Sequence, residues 1–271
     1  MRKVIQAFLW LILFSSLALA VTPPSVPSTC GSGSSICACA NSAGSGTANT
    51  VSCTINSVTG TVGILVHTVW YQQALDGQTI AISDSSSGGG TSDTFSVGNV
   101  CYQTAIPTYF IACSNYVCKS TLSAGNFTLT STASPTGGEY YGIDAEIISG
   151  TTATGCYDQS GGWSAGGSPF YTYTGCVNTG SCPNGGTGDI SVAEELAIGF
   201  ITNGAAPTPV SPFAQIQVLG GNQSAYVQNP TVGSALEVQW TSTGANYVAL
   251  IDTFKPVFPP STKIRHSVKQ Q

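Results

Sequence analysis

The chain has 271 residues and few charges, with seven Lys or Arg against twelve Asp or Glu and a formal net charge of −5. All twelve acids lie between Val21 and Phe254, where Lys119 is the sole Lys or Arg, so that body carries a formal charge of −11. A body so acidic repels phosphate backbones, which excludes nucleic acid as a partner.

Residues 1–20, MRKVIQAFLWLILFSSLALA, have the parts of a secretory signal. Arg2 and Lys3 form the positive start, Val4 to Leu13 the apolar run, and Ala18-Leu19-Ala20 the small-residue cleavage pattern. The expectation is a secreted, extracellular protein. No later stretch offers the roughly twenty apolar residues that span a bilayer, so no membrane span is expected in the mature chain. Residues 21–50 read as a lead rich in Pro, Gly, Ser and Cys, its Ser28–Thr50 part an irregular stapled cap.

Residues 51–257 read as an all-β, antiparallel β-sandwich. TVGILVHTVWYQ (Thr61 to Gln72) is a long apolar strand, and QTIAIS follows the turn-like Asp76-Gly77. TFSVG, TYFIAC, NFTLTS and YYGIDAEII come next, then ISVAEELAIGFIT, FAQIQVL, SALEVQW and NYVALID. Short β-branched and aromatic runs punctuated by Gly, Asn, Asp and Pro are the pattern of a sandwich or barrel. Within ISVAEELAIGFIT the residues Glu194-Glu195-Leu196 also suit a helical turn. Residues 149–189 read as a long loop excursion ordered by cysteines, with a hairpin around Pro169 to Val177. Residues 258–271 form a basic flexible tail.

Ten cysteines follow the signal: Cys30, Cys37, Cys39, Cys53, Cys101, Cys113, Cys118, Cys156, Cys176 and Cys182. An even count behind an export signal predicts up to five disulfides, with the pairing open. Cys37-Ala38-Cys39 has metal-ligand spacing, but with only His67 and His266 available bridges are the better reading.

The order of signals resembles a loosely defined group of secreted bacterial domains, immunoglobulin-like or jelly-roll β-sandwiches of unknown function. The resemblance rests on GILVHTVWYQ (Gly63 to Gln72), TIAISDSSSGGG (Thr79 to Gly90), IDAEIISG (Ile143 to Gly150), ELAIGFITNG (Glu195 to Gly204) and LEVQWTSTGANYVALIDTFKP (Leu236 to Pro256). It spans roughly Ser57 to Pro256 and implies a fold without an established chemistry. Glu146 takes the place of the group's Glu, while Ile147-Ile148 depart from the aromatic and small residues that follow it there.

Chemistry-bearing residues are sparse. On a strand Asp144 and Glu146 share one face about 7 Å apart, within the 5–9.5 Å range used by glycosidase carboxyl pairs. Tyr140, Trp163 and Tyr171 are candidates to stack on sugars. The plainer reading makes that face a wet scaffold surface. His67, inside an apolar strand, reads as a structural histidine, and no G-x-S-x-G elbow accompanies it. Asp84 and Asp93 bracket a Gly-rich loop and are candidate calcium ligands; no other cofactor is implied. Asn126 and Asn222 open N-glycosylation triplets.

These features favour a non-enzymatic extracellular module that binds a surface ligand such as a glycan, or serves in cell-surface structure. One alternative is a glycan-active hydrolase built on Asp144 and Glu146. The other is a self-associating structural or filament subunit.

Overall fold

The computed structural model describes residues 38–43, 50–55, 60–71, 79–86, 93–99, 102–103, 110–122, 127–134, 140–166, 170–175, 188–202, 207–219, 222–228, 230–241 and 246–256. Among them every regular element is a strand and every pairing is antiparallel. No helix among them is long and apolar enough to cross a membrane.

The first half of the chain supplies β1 (Ala38–Ala43), β2 (Thr50–Ile55), β3 (Gly60–Tyr71), β4 (Thr79–Ser86), β5 (Ser96–Val97), β6 (Tyr102–Gln103), β7 (Phe110–Leu122), β8 (Phe127–Ser134) and β9 (Tyr140–Ser149). The second supplies β10 (Tyr157–Gly166), β11 (Phe170–Tyr173), β12 (Leu196–Thr202), β13 (Thr208–Pro209), β14 (Ala214–Leu219), β15 (Asn222–Gln228), β16 (Glu237–Thr241) and β17 (Asn246–Phe254). The first half builds one sheet in the order β1-β9-β3-β7-β5, with β6 also on β7, and another in the order β2-β8-β4. The second half builds β10-β17-β12-β15-β14 and β11-β16-β13. The two orders correspond strand for strand: β1 to β4 match β10 to β13, and β7 to β9 match β15 to β17. The chain is thus two copies of one topology.

The sheets stack in four layers, and the burial pattern follows. Strand β2 alternates exposed or half-buried residues with Val51, Cys53 and Ile55, as expected of an outer strand with one wet face. Strands β3 and β12 lie in the two central layers. Gly63 to Val69 and Leu196 to Thr202 are buried without a break, which is why their sequences show no clean alternation. Ile64 and Val66 pack outward with Val51, Ile55, Leu129, Ile143 and Ile147 as the first half's own core. Ala197, Ile201, Val238, Trp240, Ala249 and Ile251 form the second half's own core. Between the central sheets lie Leu65, Ile148, Leu196, Ile198 and Phe254 at one end, and Val69, Ala112, Phe200, Val248 and Leu250 at the other.

Several sequence expectations need amendment. Residues 38–43, placed in the irregular cap, form β1. Residues 149–189, taken as an excursion, contain β10 and β11. The Gly and Ser content of β10 hid it, because an edge strand of this stack needs few large apolar residues; β11 falls within the hairpin expected around Pro169 to Val177. ISVAEELAIGFIT is strand only from Leu196. Before it the chain turns, with Glu194 at φ 65° and the Glu195 side chain accepting from the Val192 amide at 3.0 Å.

All five described cysteines, Cys39, Cys53, Cys113, Cys118 and Cys156, are disulfide-bonded. Cys39–Cys53 joins β1 to β2, and Cys118–Cys156 joins the first half to the segment entering β10. Cys30, Cys37, Cys101, Cys176 and Cys182 lie outside the described residues, as do residues 1–37 and the tail.

A buried acid–base cluster between the halves

Strand alternation sets which side chains enter the plane between the central sheets. On β3, Leu65, His67 and Val69 point there. In the ladder His67 stands opposite Ser114 of β7 and Asp144 of β9, and Leu65 stands opposite Glu146. The second half contributes Asp252 of β17, opposite Ile198 of β12. Two equivalent final strands, β9 and β17, therefore each deliver the Asp of an Ile-Asp pair, Asp144 and Asp252, to the same plane, while Ile143 and Ile251 face the halves' own cores.

His67, Glu146 and Asp252 are fully buried, and Asp144 is 2% exposed. His67 Nδ1 lies 3.5 Å from Glu146 Oε2, and Nε2 lies 3.4 Å from Asp252 Oδ2. At these lengths the contacts are ion pairs rather than formed hydrogen bonds, and the His67 nitrogens, the Glu146 carboxyl and Asp252 Oδ2 have no hydrogen-bond partner among the described residues. Burial works against a charged imidazole, but Asp252 and Glu146 outweigh it and raise its pKa to about 10. Phe200 stacks on the ring at 4.5 Å between centroids. A cation there gains from the aromatic face as well. Burial, with the Glu146 charge beside it, holds Asp144 well above the usual carboxylate range. The cluster thus sets the imidazole between the Glu146 and Asp252 carboxyl groups, with Asp144, whose charged form burial disfavours, at its side.

Asp252 Oδ1 is better supplied. Ser114 Oγ donates to it at 3.0 Å, Asn99 Nδ2 donates at 2.9 Å, and the Tyr157 hydroxyl also donates to it. Tyr157 stacks face to face on Tyr116 at 3.9 Å. Ser114 bonds to Asp252 and not to the imidazole, so the array is not a serine–histidine relay.

This cluster corrects the sequence reading of function. Where the sequence favours a non-enzymatic module, the structure brings His67, Asn99, Ser114, Tyr157 and Glu146 together around Asp252, a buried polar set suited to acid–base chemistry. The face carrying Asp144 and Glu146 is also not wet; the second half covers it. His67 is buried, with both nitrogens facing carboxylates at ion-pair distance. Nothing in the sequence marks Asp252, Asn99 or Ser114 individually. The one available signal is the repeated Ile-Asp near the end of each half.

The other candidates lie elsewhere. Trp163, half-buried on β10, packs against the second half's own core. Tyr140 and Tyr171 lie on β9 and β11, and their side chains are outside the described part of the structure. Asp84 and Asp93 do converge, and the cation they share is the Lys119 ammonium, 3.5 Å from Asp84 and in short contact with Asp93. Asn222 is buried on β15, which closes that triplet to a glycan; Asn126 is outside the described residues. A second acid pair, Asp158 and Glu195, sits at the end of β10. Burial and then Asp158 push Glu195 up to about 7, while Lys255 at 2.7 Å helps pull Asp158 below the usual range against its burial.

Among the described residues, two boundaries separate the cluster from solvent. One is the plane between the sheets, lined by ten buried apolar side chains, each contributing roughly 1.5–3 kcal/mol. The other is the segment Ser96–Asn99, which crosses over Asp252. A Cβ on Gly98 would lie 2.6 Å from Ser114 Oγ and 2.9 Å from both Asp252 Oδ1 and the Tyr157 hydroxyl. That segment is held mainly by hydrogen bonds, each worth about 1 kcal/mol net.

No family model, curated protein or solved structure matches the chain.

Proposed function

We propose that the protein is a glycan-active hydrolase whose acid–base centre is the cluster between the two halves. The observation that carries this reading is the convergence of Asp144, Glu146, His67 and Asp252 in one buried group. Asp144, kept protonated, is the general acid for the leaving oxygen. Glu146 is the second carboxyl, acting on water or on the sugar carbon. Their backbone attachments lie two residues apart on β9, about 6.8 Å, and both side chains leave the same face of the strand, so the Glu146 charge bears directly on Asp144. His67 has no lone pair to offer as a base, since both nitrogens face carboxylates. It is the fixed cation that steadies charge on Glu146 and Asp252, a task Lys or Arg performs in less acidic chains. Asp252, held by three donors, anchors the imidazole.

The matching strand orders support reading each half as a jelly-roll sandwich, in line with the resemblance drawn from the sequence. The disulfides suit an exported setting.

The test is reducing-end release by the oxidised full chain on a panel of neutral and acidic polysaccharides, with a peptide panel as control. Asp144→Asn and Glu146→Gln are each expected to lower the rate about 10²–10⁴-fold, and Trp163→Phe to leave it unchanged. No release from any polysaccharide by folded protein, or full activity in both carboxyl variants, would end this reading.

A further inference from the structure

We infer that Ser96–Asn99 is a movable strap over the centre, and that lifting it is the route by which a hydroxyl-bearing substrate reaches Asp252. The inference rests on the hydrolase reading for its purpose, though not for its mechanics.

The strap has a firm root and a loosely held span. Phe95 packs against the first half's core and fixes the root. Beyond it Ser96 is exposed, Val97 is 62% exposed and Gly98 has no side chain, so no apolar group anchors the span. Its ladder with β7 covers only Ser96 and Val97. The remaining ties are polar. Gly98 N donates to Ser114 O at 2.9 Å, Ser114 N donates to Asn99 O at 3.2 Å, and Asn99 N donates to Ser114 Oγ at 2.8 Å. The Asn99 carboxamide crosses to the second half, donating to Asp252 Oδ1 at 2.9 Å and to Ile251 O at 3.3 Å. Parting the sheets would expose ten large or medium apolar side chains, whereas lifting the strap exchanges hydrogen bonds with the protein for hydrogen bonds with water. The second route is the cheaper by far.

The groups uncovered define what fits. Asp252 Oδ1 loses the Asn99 donor, and Ser114 Oγ loses the Asn99 amide. A sugar hydroxyl both donates and accepts, so one hydroxyl serves the vacated carboxylate and a second serves the serine. Asn99 is then a positioning residue, occupying in the closed form the place that the substrate takes in the open one.

Amide hydrogen exchange on the oxidised full chain tests the strap without reference to turnover. The Gly98 and Ser114 amides are expected to exchange at least about 100-fold faster than those of Val66 and Ile251, after correction for intrinsic rates. Asn99→Asp, which sets a carboxylate against Asp252, is expected to speed those two amides further and leave the central strands unchanged. Strap amides that exchange only as slowly as Val66 and Ile251, in wild type and variant alike, would overturn the proposal. If the strap opens as expected while Asp144→Asn remains active, the hydrolase reading fails and the strap stands. A locked strap in a protein that loses turnover with Asp144→Asn gives the reverse.

Discussion

Replacing His67 by Gln tests whether the imidazole is the cation that the buried carboxylates require. The substitution removes the positive charge and keeps a polar side chain of similar reach. Glu146 and Asp252 would then face each other across the plane uncompensated, at full burial. Removing one partner of a buried pair costs about 3–5 kcal/mol. His67 serves two partners, yet the cost does not double, because either carboxyl can take up a proton instead. The loss is therefore largest at neutral pH and shrinks in acid. Wild-type stability has the complementary pH dependence. An imidazole raised from 6.5 to about 10 contributes stability fully below pH 6.5, and that contribution is lost as pH rises toward 10. Urea unfolding of wild type and His67→Gln at pH 4 and pH 7.5, with the disulfides intact, measures both effects. A loss of about 3–5 kcal/mol at pH 7.5, clearly smaller at pH 4, is the expected outcome. A variant within about 1 kcal/mol of wild type at pH 7.5 would show that the carboxylates do not depend on His67, and the charge assignment would be wrong.

Two further outcomes follow from the same geometry. Gly199→Ala puts a Cβ 2.7 Å from Val238 Cγ2 between β12 and its outer sheet, and should cost about 1–3 kcal/mol in thermal or urea unfolding with the strap unaffected. Glu195, raised from 4.5 to about 7, contributes stability that is full below pH 4.5 and lost as pH rises through 7. The urea midpoint should fall across that window in wild type, and Glu195→Gln should flatten the fall; an unchanged slope would remove Glu195 as its source.

The sequence reveals the strands whose faces are apolar and conceals those that are not. Thr61 to Gln72 and Tyr140 to Ile148 are legible because central strands of a layered β-protein are rich in Val, Ile and aromatics. β10, reading YDQSGGWSAG, is not, because it pairs with β17 alone and needs little bulk. Asp144 and Glu146 are identified correctly as sharing a face, but alternation cannot say what covers that face. Their burial follows from the second half docking over them, a long-range fact with no local trace. His67 is flagged by its apolar neighbours, while its partner Asp252 lies 185 positions further along and shows only as the second copy of an Ile-Asp pair.

Two halves of like topology, each with an apolar inner face, create a hazard of wrong partnering. Two first halves from different chains could meet by the same surfaces, as could two second halves. The polar cluster discriminates among these pairings. A pair of first halves would bring two imidazoles together with four carboxyls, in the wrong geometry for either. A pair of second halves would press Asp252 against its own copy with no cation between them. Only the first half against the second sets one cation between two carboxylates. The cluster therefore acts as a key for correct assembly, and the Cys118–Cys156 bridge keeps the matching half within reach.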